Sequence, residues 1–279
     1  MKQDASGSTQ EQQIGSSLEP PVHGGLSFRK RRSTADAGAV ILRSQQSPVT
    51  LGSLEDSGAQ NQTFRNFRAR LAAWLTHALP VYGFSFAPGY ANVEFQADDM
   101  VSLISDLVFW LIVFKITEYR SMKVCYESQV DWHQYLDFLY CSPDFFKQER
   151  RDFVILRTAD GFIFAKLAFV FTASVGDRQF PICLAQPLDA SLGEPRAKDR
   201  KLGLHRLRAK PSMEFFFAQS IVRGAPLIPA PDKHGDYILM DVVDHTGDLY
   251  IRCNEIFGRQ CYSLFHIFFF WLIITPLSY

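Results

Sequence analysis

The residues best suited to chemistry are Asp241, Asp244 and Asp248, with His245 among them. Three carboxyl groups and an imidazole at such short spacing have the composition of an acid–base or metal site. Their setting argues against that use. Asp and Gly are turn formers, and apolar runs flank His245-Thr246-Gly247-Asp248, so the spacing predicts a hairpin turn. An enzyme using Asp241, Asp244 and His245 is the least supported reading. A second acidic set, Glu127, Asp131, Asp137 and Asp152, is interleaved with Tyr126 and Trp132. A two-metal nuclease would hold such acids on parallel strands. The hairpin-rich pattern predicts antiparallel ones, and capping and surface roles are expected instead.

No G-x-x-x-x-G-K or G-x-G-x-x-G phosphate loop is present, nor a G-x-S-x-G elbow or an H-E-x-x-H helix. The five cysteines, Cys125, Cys141, Cys183, Cys253 and Cys261, are odd in number and form no C-x-x-C pair. That spacing predicts reduced thiols in an intracellular protein, with no metal and no other cofactor. The 29 basic and 29 acidic residues cancel, so no polyelectrolyte partner is implied for the chain as a whole.

Binding chemistry concentrates in Gly193–Lys210. Arg196, Lys198, Arg200, Lys201, Arg206, Arg208 and Lys210 are opposed there only by Glu194 and Asp199. Basic side chains on a loop neutralise phosphates and release counterions, which makes nucleic acid or chromatin the expected partner. Arg206 and Arg208 alternate with leucines and are expected to project from a strand edge. The plain alternative is a solvated loop. Arg29, Lys30, Arg31 and Arg32 form a smaller basic knot suited to nuclear targeting.

The elements that would position these groups are organised around Arg151–Pro187. It reads as three antiparallel strands turning at Asp160-Gly161 and Gly176-Asp177. The middle strand, Phe162–Ser174, is apolar on both faces. Alternation puts Leu167 with Phe169 and Phe171, and Phe164 with Val170. Its length predicts that it bends and serves two sheets or a closed barrel. Upstream, Lys123–Glu127 reads as a strand. A helix is expected over Gln129–Tyr140, capped by Ser128 and Asp131 and burying Trp132, Tyr135, Leu136 and Leu139. Downstream come a strand over Phe215–Val222 and a last hairpin from Tyr237–Val243 and Leu249–Arg252.

Three apolar segments lie outside this set. Thr63–Leu79 carries Phe64, Phe67, Leu71, Leu75 and Ala78 at helical spacing, with Arg65, Arg68 and Arg70 off the stripe. It predicts a helix that packs on the following domain or lies on a membrane or partner. Val101–Ile116 is short for a bilayer span and contains Asp106 and Lys115, with a buried helix as its alternative. Cys261–Tyr279 has no formally charged side chain, and membrane contact through 261–279 as a tail anchor is the second functional reading. The fold expected is mainly β (α+β), a small antiparallel barrel or sandwich with a few short helices and a disordered N-terminus. Its parts are a tail (1–60), an amphipathic helix (61–80), a loop and hydrophobic block (81–118), a β-rich domain (119–256) and a hydrophobic end (257–279).

Several stretches in order, Lys123–Trp132, Cys141–Phe145, Arg151–Ile155, Phe164–Leu167, Gln186–Asp189, Lys198–Gly203, Ser220–Ala225 and Tyr237–Asp241, resemble a region of Plavaka-type transposon-derived proteins of basidiomycete fungi. The resemblance covers residues 119–256 and implies a non-catalytic region that follows the transposase, with no cutting activity to inherit. The blocks 101–116 and 259–279 depart from that pattern, as translated introns would. Ala165–Phe171 and Ser220–Gly224 also echo BAH domains, chromatin-binding barrels of the SH3-like type. That echo is one of fold alone. The location expected is nuclear or otherwise intracellular, from Arg29–Arg32 and the scattered cysteines, with membrane attachment as the alternative that a tail anchor would give.

Overall fold

The computed structural model describes residues 29–30, 38–57, 62–86, 92–95, 100–105, 108–113, 115–175, 178–190 and 197–257. In chain order the strands are β1 (Arg29–Lys30), β2 (Val40–Gln45), β3 (Phe84–Phe86), β4 (Met100–Ser105), β5 (Val108–Val113), β6 (Lys115–Glu127), β7 (Gln134–Phe145) and β8 (Gln148–Arg151). They continue as β9 (Phe153–Thr158), β10 (Gly161–Val175), β11 (Arg178–Ala190), β12 (Arg206–Ala209), β13 (Glu214–Phe217), β14 (Ile221–Ala225), β15 (Leu227–Pro229) and β16 (Asp236–Leu239). The α-helices are α1 (Leu51–Ser57), α2 (Phe67–Ala78), α3 (Ala197–Leu202) and α4 (248–257).

The molecule is mainly β, an antiparallel sheet curled into a half-barrel in the order β1-β7-β6-β10-β11-β12-β16-β15. The strand β10 makes the curl. Its first half pairs with β9, from Gly161↔Thr158 to Lys166↔Phe153, and its second half with β6, from Phe171↔Glu118 to Ser174↔Lys115. One strand thus serves two neighbours in turn along one edge of a single curled sheet, where its length predicted service to two sheets or a closed barrel.

A bulge between Leu167 and Phe169 sets its register against β11. An extra residue reverses the alternation of faces. Leu167 therefore buries with Val170, Met122 and Leu139, while Phe169 and Phe171 turn to the other side. Simple alternation had grouped Leu167 with Phe169, and the bulge is why it fails. The first turn occupies Ala159–Asp160, with Gly161 at φ 130°. Val175 pairs with Arg178 around 176–177, which lie outside the described residues.

Helix α2 forms where the spacing placed it. Phe67, Leu71, Leu75 and Ala78 are buried, against Phe169, Phe171, Ile182 and Phe215. Off the stripe, the Arg68 main-chain N–H donates to Glu55, while the Arg70 guanidinium donates to the Thr63 and Met213 carbonyls. The helix packs one face on the fold and leaves Ala69, Ala73 and His77 exposed.

Other expectations change. Order begins earlier than residue 61: β2 pairs with β6, and α1 buries Leu51 completely. Residues 1–28 and 31–37 lie outside the described set. The expected helix over Gln129–Tyr140 is a turn followed by β7. Ser128 and Asp131 do bond nearby main-chain N–H groups, of Val130 and His133, but they close a tight loop. Trp132 sits at φ 57° and is 74% exposed instead of buried. Continuous pairing of β7 with β6, Ser121↔Tyr140 through Glu127↔Gln134, outweighs local helix propensity here. The block 101–116 is a hairpin of β4 and β5 extended by β3, not a helix. Leu249–Arg252 belongs to α4, so the last hairpin is absent.

Candidate interaction groove

Three cations of the basic crossover, Arg206, Arg208 and Lys210, are paired with acids. Arg206, whose side chain is 9% exposed, donates through Nε to Asp199 at 2.9 Å and through Nη1 to Asp232 at 2.9 Å. Arg208 pairs with Asp236 at 2.9 Å and Lys210 with Asp189 at 3.2 Å. The β12–β16 register, Arg206↔Ile238 to Arg208↔Asp236, brings Asp236 across the strand, with Asp232 just before it. Asp232 and Asp236 lie outside 193–210, which is why a local charge count that included Asp199 missed them. Lys198, Arg200 and Lys201 lie on α3, with Lys201 exposed, and Arg196 lies outside the described residues. Arg29 and Lys30 pair with Leu136 and Tyr135 as β1, while Arg31 and Arg32 lie outside the described residues.

The acids of the expected hairpin are drawn inward around Arg223, which is fully buried in β14. Its Nη1 donates to Asp248 Oδ2 at 2.7 Å and to Asp244 Oδ2 at 3.1 Å, and Nη2 donates to Asp244 Oδ1 at 3.2 Å. Its guanidinium lies 4.4 Å above the Tyr126 ring. Asp244 also accepts from the Thr246 hydroxyl and the Leu249 N–H, which fixes the entry into α4. Arg252 extends the network to Asp248 and the Glu127 carbonyl. Burial would raise the Asp244 carboxyl, but Arg223 holds it below the usual range. An acid so engaged is structural, while His245 is exposed and His245 and Asp241 take no part in these bonds.

Asp137 joins the same cluster and corrects the surface role expected for it. It is 1% exposed, accepts from the Gly224 N–H at 2.8 Å and lies 4.0 Å from Arg223 Nε. Its Oδ1 has no hydrogen-bond partner among the described residues. Asp137, Asp244 and Asp248 outnumber Arg223 and Arg252, and burial pushes the Asp137 carboxyl up to about 7 against the pull of Arg223. An acid whose folded value is raised keeps its proton in the native state after the unfolded chain has released it. Its contribution to stability therefore falls as pH rises from about 4 toward 7. Asp137→Asn is expected to flatten the decline of the urea midpoint between about pH 4 and 7, and parallel curves for variant and wild type would refute the assignment. Sequence reasoning overlooked Arg223 altogether. Its signal was a lone cation inside the apolar strand Ile221-Val222-Arg223-Gly224-Ala225.

A groove of about 730 Å³ opens between β8 and the β14–β15 segment. Its apolar walls are Phe145, Phe153, Leu227, Ile228, Met240 and Val243, with His245 at one end. Two strand edges border it. Among the described residues β8 pairs only with β7, and β15 only with β16. The Asp152 N–H donates to the Tyr140 carbonyl, and Ser142 pairs with Arg150. Alternation in an antiparallel ladder then turns the main-chain groups of Glu149 and Arg151 away from β7. The β15 edge is blunted by Pro229, which has no N–H.

The β7–β8 turn is unusual. Phe146 and Lys147 adopt φ 51° and 66°, a conformation costing about 1–2 kcal/mol per residue for side chains other than glycine. Phe146 is nevertheless 81% exposed, with its ring 4.8 Å from Phe145. Beside it the Arg150 guanidinium lies over both Tyr140 and Phe145.

Comparison with protein-family models, curated proteins and solved structures finds no match to this chain. Fold and site define a mainly antiparallel β protein with a curled half-barrel sheet, an amphipathic helix packed on it through aromatic contacts and an apolar surface groove.

Proposed function

We propose that the chain is a non-catalytic interaction module, and that it takes an extended stretch of a partner polypeptide along the open edge of β8. The observation that carries this is the apolar groove bordered by unpaired strand edges. An edge leaves main-chain donors and acceptors that another main chain satisfies, while alternate side chains of the added strand fill the apolar pockets. Ile228 and Val243, both exposed on the rim, are the contacts to change. Extended peptides selected on the intact chain from a random library should bind Ile228→Glu and Val243→Glu at least about tenfold more weakly, the scale of one lost anchor. The Glu149 and Arg151 amides should gain protection from hydrogen exchange. Equal binding by both variants, or no such protection, would overturn the groove reading.

Nucleic acid or chromatin is the second reading, favoured by the accessible Lys201, Arg208 and Lys210 of the crossover. Salt-dependent binding to duplex DNA, unaffected by Ile228→Glu, would place the working surface there. Descent from a Plavaka-type element rests on the resemblance of residues 119–256. A nuclear or other intracellular location rests on Arg29–Arg32 and on the scattered cysteines. The tail-anchored alternative rests on 261–279, outside the described residues; among the described residues no helix is long and apolar enough to cross a membrane.

A further inference from the structure

A second depression, of about 230 Å³, shares Glu149 and Arg151 with the groove and is otherwise differently built. It is lined by Thr63, Lys166, Leu167, Ala168, Gln186 and Met213. We propose that it is an anion site, taking a phosphate or carboxylate group between Arg151 and Lys166. The inference goes beyond the peptide reading and stands on three observations.

Cationic charge is in excess. The Arg151 side chain is 13% exposed, and its one carboxylate partner, Glu149, is 64% exposed and able to turn into solvent. Lys166 has no carboxylate within ion-pair distance among the described residues; its Nζ lies 5.8 Å from the Phe153 ring. The wall is also fixed. Arg151 Nη1 donates to the buried Cys141 sulfur at 3.1 Å, Gln186 Nε2 to the Lys210 carbonyl at 2.7 Å and Arg70 to the Thr63 and Met213 carbonyls. A partly buried guanidinium held this way has lost most of its freedom before any anion arrives, so less entropy is lost on binding. Finally, the bulge of β10 falls in the wall. Ala168 is the residue skipped by the register with β11, which leaves its main chain outside that ladder, and it lines the depression together with the two cations. Bulges recur where a sheet re-aims groups at a ligand.

Inorganic phosphate titrated into the intact chain, against chloride at matched ionic strength, should give saturable amide shifts at Arg151, Lys166 and Ala168. Lys166→Gln should weaken binding about tenfold, the range of one charge-assisted hydrogen bond. Glu149→Gln should tighten it. A phosphoserine peptide that binds more tightly than inorganic phosphate identifies the anion as part of a polypeptide, whereas equal affinity identifies a free small anion. No saturable shift beyond chloride, or unchanged affinity in Lys166→Gln, would overturn the site. Ile228→Glu separates the two proposals, because it should weaken peptide binding and leave phosphate binding intact.

Discussion

Arg223→Ala is expected to lower the unfolding free energy by about 3–5 kcal/mol at pH 7, the usual consequence of removing one partner from a buried ionic cluster. Against a total of about 5–15 kcal/mol for a typical domain, that is a large fraction. The loss arises less from the missing attraction than from what remains. Asp137, Asp244 and Asp248 would stay buried with Arg252 as the only nearby cation of the cluster. The pH dependence identifies this cause. In the variant the acids regain stability by binding protons, so its stability should rise as pH falls toward about 4, the range of an unfolded carboxyl. In the wild type Asp244 is held low by Arg223, so the stability it contributes is present above about pH 4 and lost only below that. The gap between the two proteins should therefore narrow on acidification, as read from urea midpoints across pH 4–8. A constant gap would mean that Arg223 acts through packing against Tyr126 and not through charge. Loosening should begin at α4, whose first turn is tied down by Asp244 and Asp248.

Phe67→Ala should cost about 3–5 kcal/mol by a different route, the cavity left by a deleted aromatic ring. The Phe67 ring is fully buried and meets Phe215 at 5.4 Å, Phe64 at 5.8 Å, Phe171 at 5.9 Å and Phe169 at 6.1 Å. Edge-on and tilted aromatic pairs add about 0.5–1.5 kcal/mol beyond the area they bury. A helix of 12 residues has little stability by itself in water, so α2 depends on this contact. The expected result is a melting temperature lowered by about 2–4 °C for each kcal/mol, together with loss of the near-ultraviolet aromatic signal. Arg65→Ala, in the exposed turn before α2, should change stability by less than about 0.5 kcal/mol. Equal effects from the two substitutions would refute the packing of the Phe67 face of α2 on the sheet.

Particular residues show why some of this was legible in the sequence. The stripe from Phe64 to Ala78 identified α2 because a helix repeats on a period that no strand shares. The length and two-sided apolarity of Phe162–Ser174 announced a strand with two sets of neighbours, which β10 has. Local signals failed where partners are distant. Ser128 and Asp131 have the spacing of a capping box, yet the chain there is a turn, because β7 gains a full ladder with β6. The bulge at Ala168 left no mark in the alternation, since one inserted residue changes the face of everything beyond it.

For function the division is sharper. Residue types alone determined that this is a mainly β protein without a recognisable catalytic motif, and that its exposed-looking charges gather at 193–210. Tertiary structure decided which charges are available. Arg206 is occupied by Asp199 and Asp232, and Asp244 by Arg223, through contacts that no local spacing encodes. Strand pairing likewise decided that Glu149 and Arg151 present an open edge beside an apolar groove. Hydrophobic period and turn chemistry act between neighbours in sequence, whereas the neutralising of a charge or the opening of an edge depends on which distant strand is adjacent.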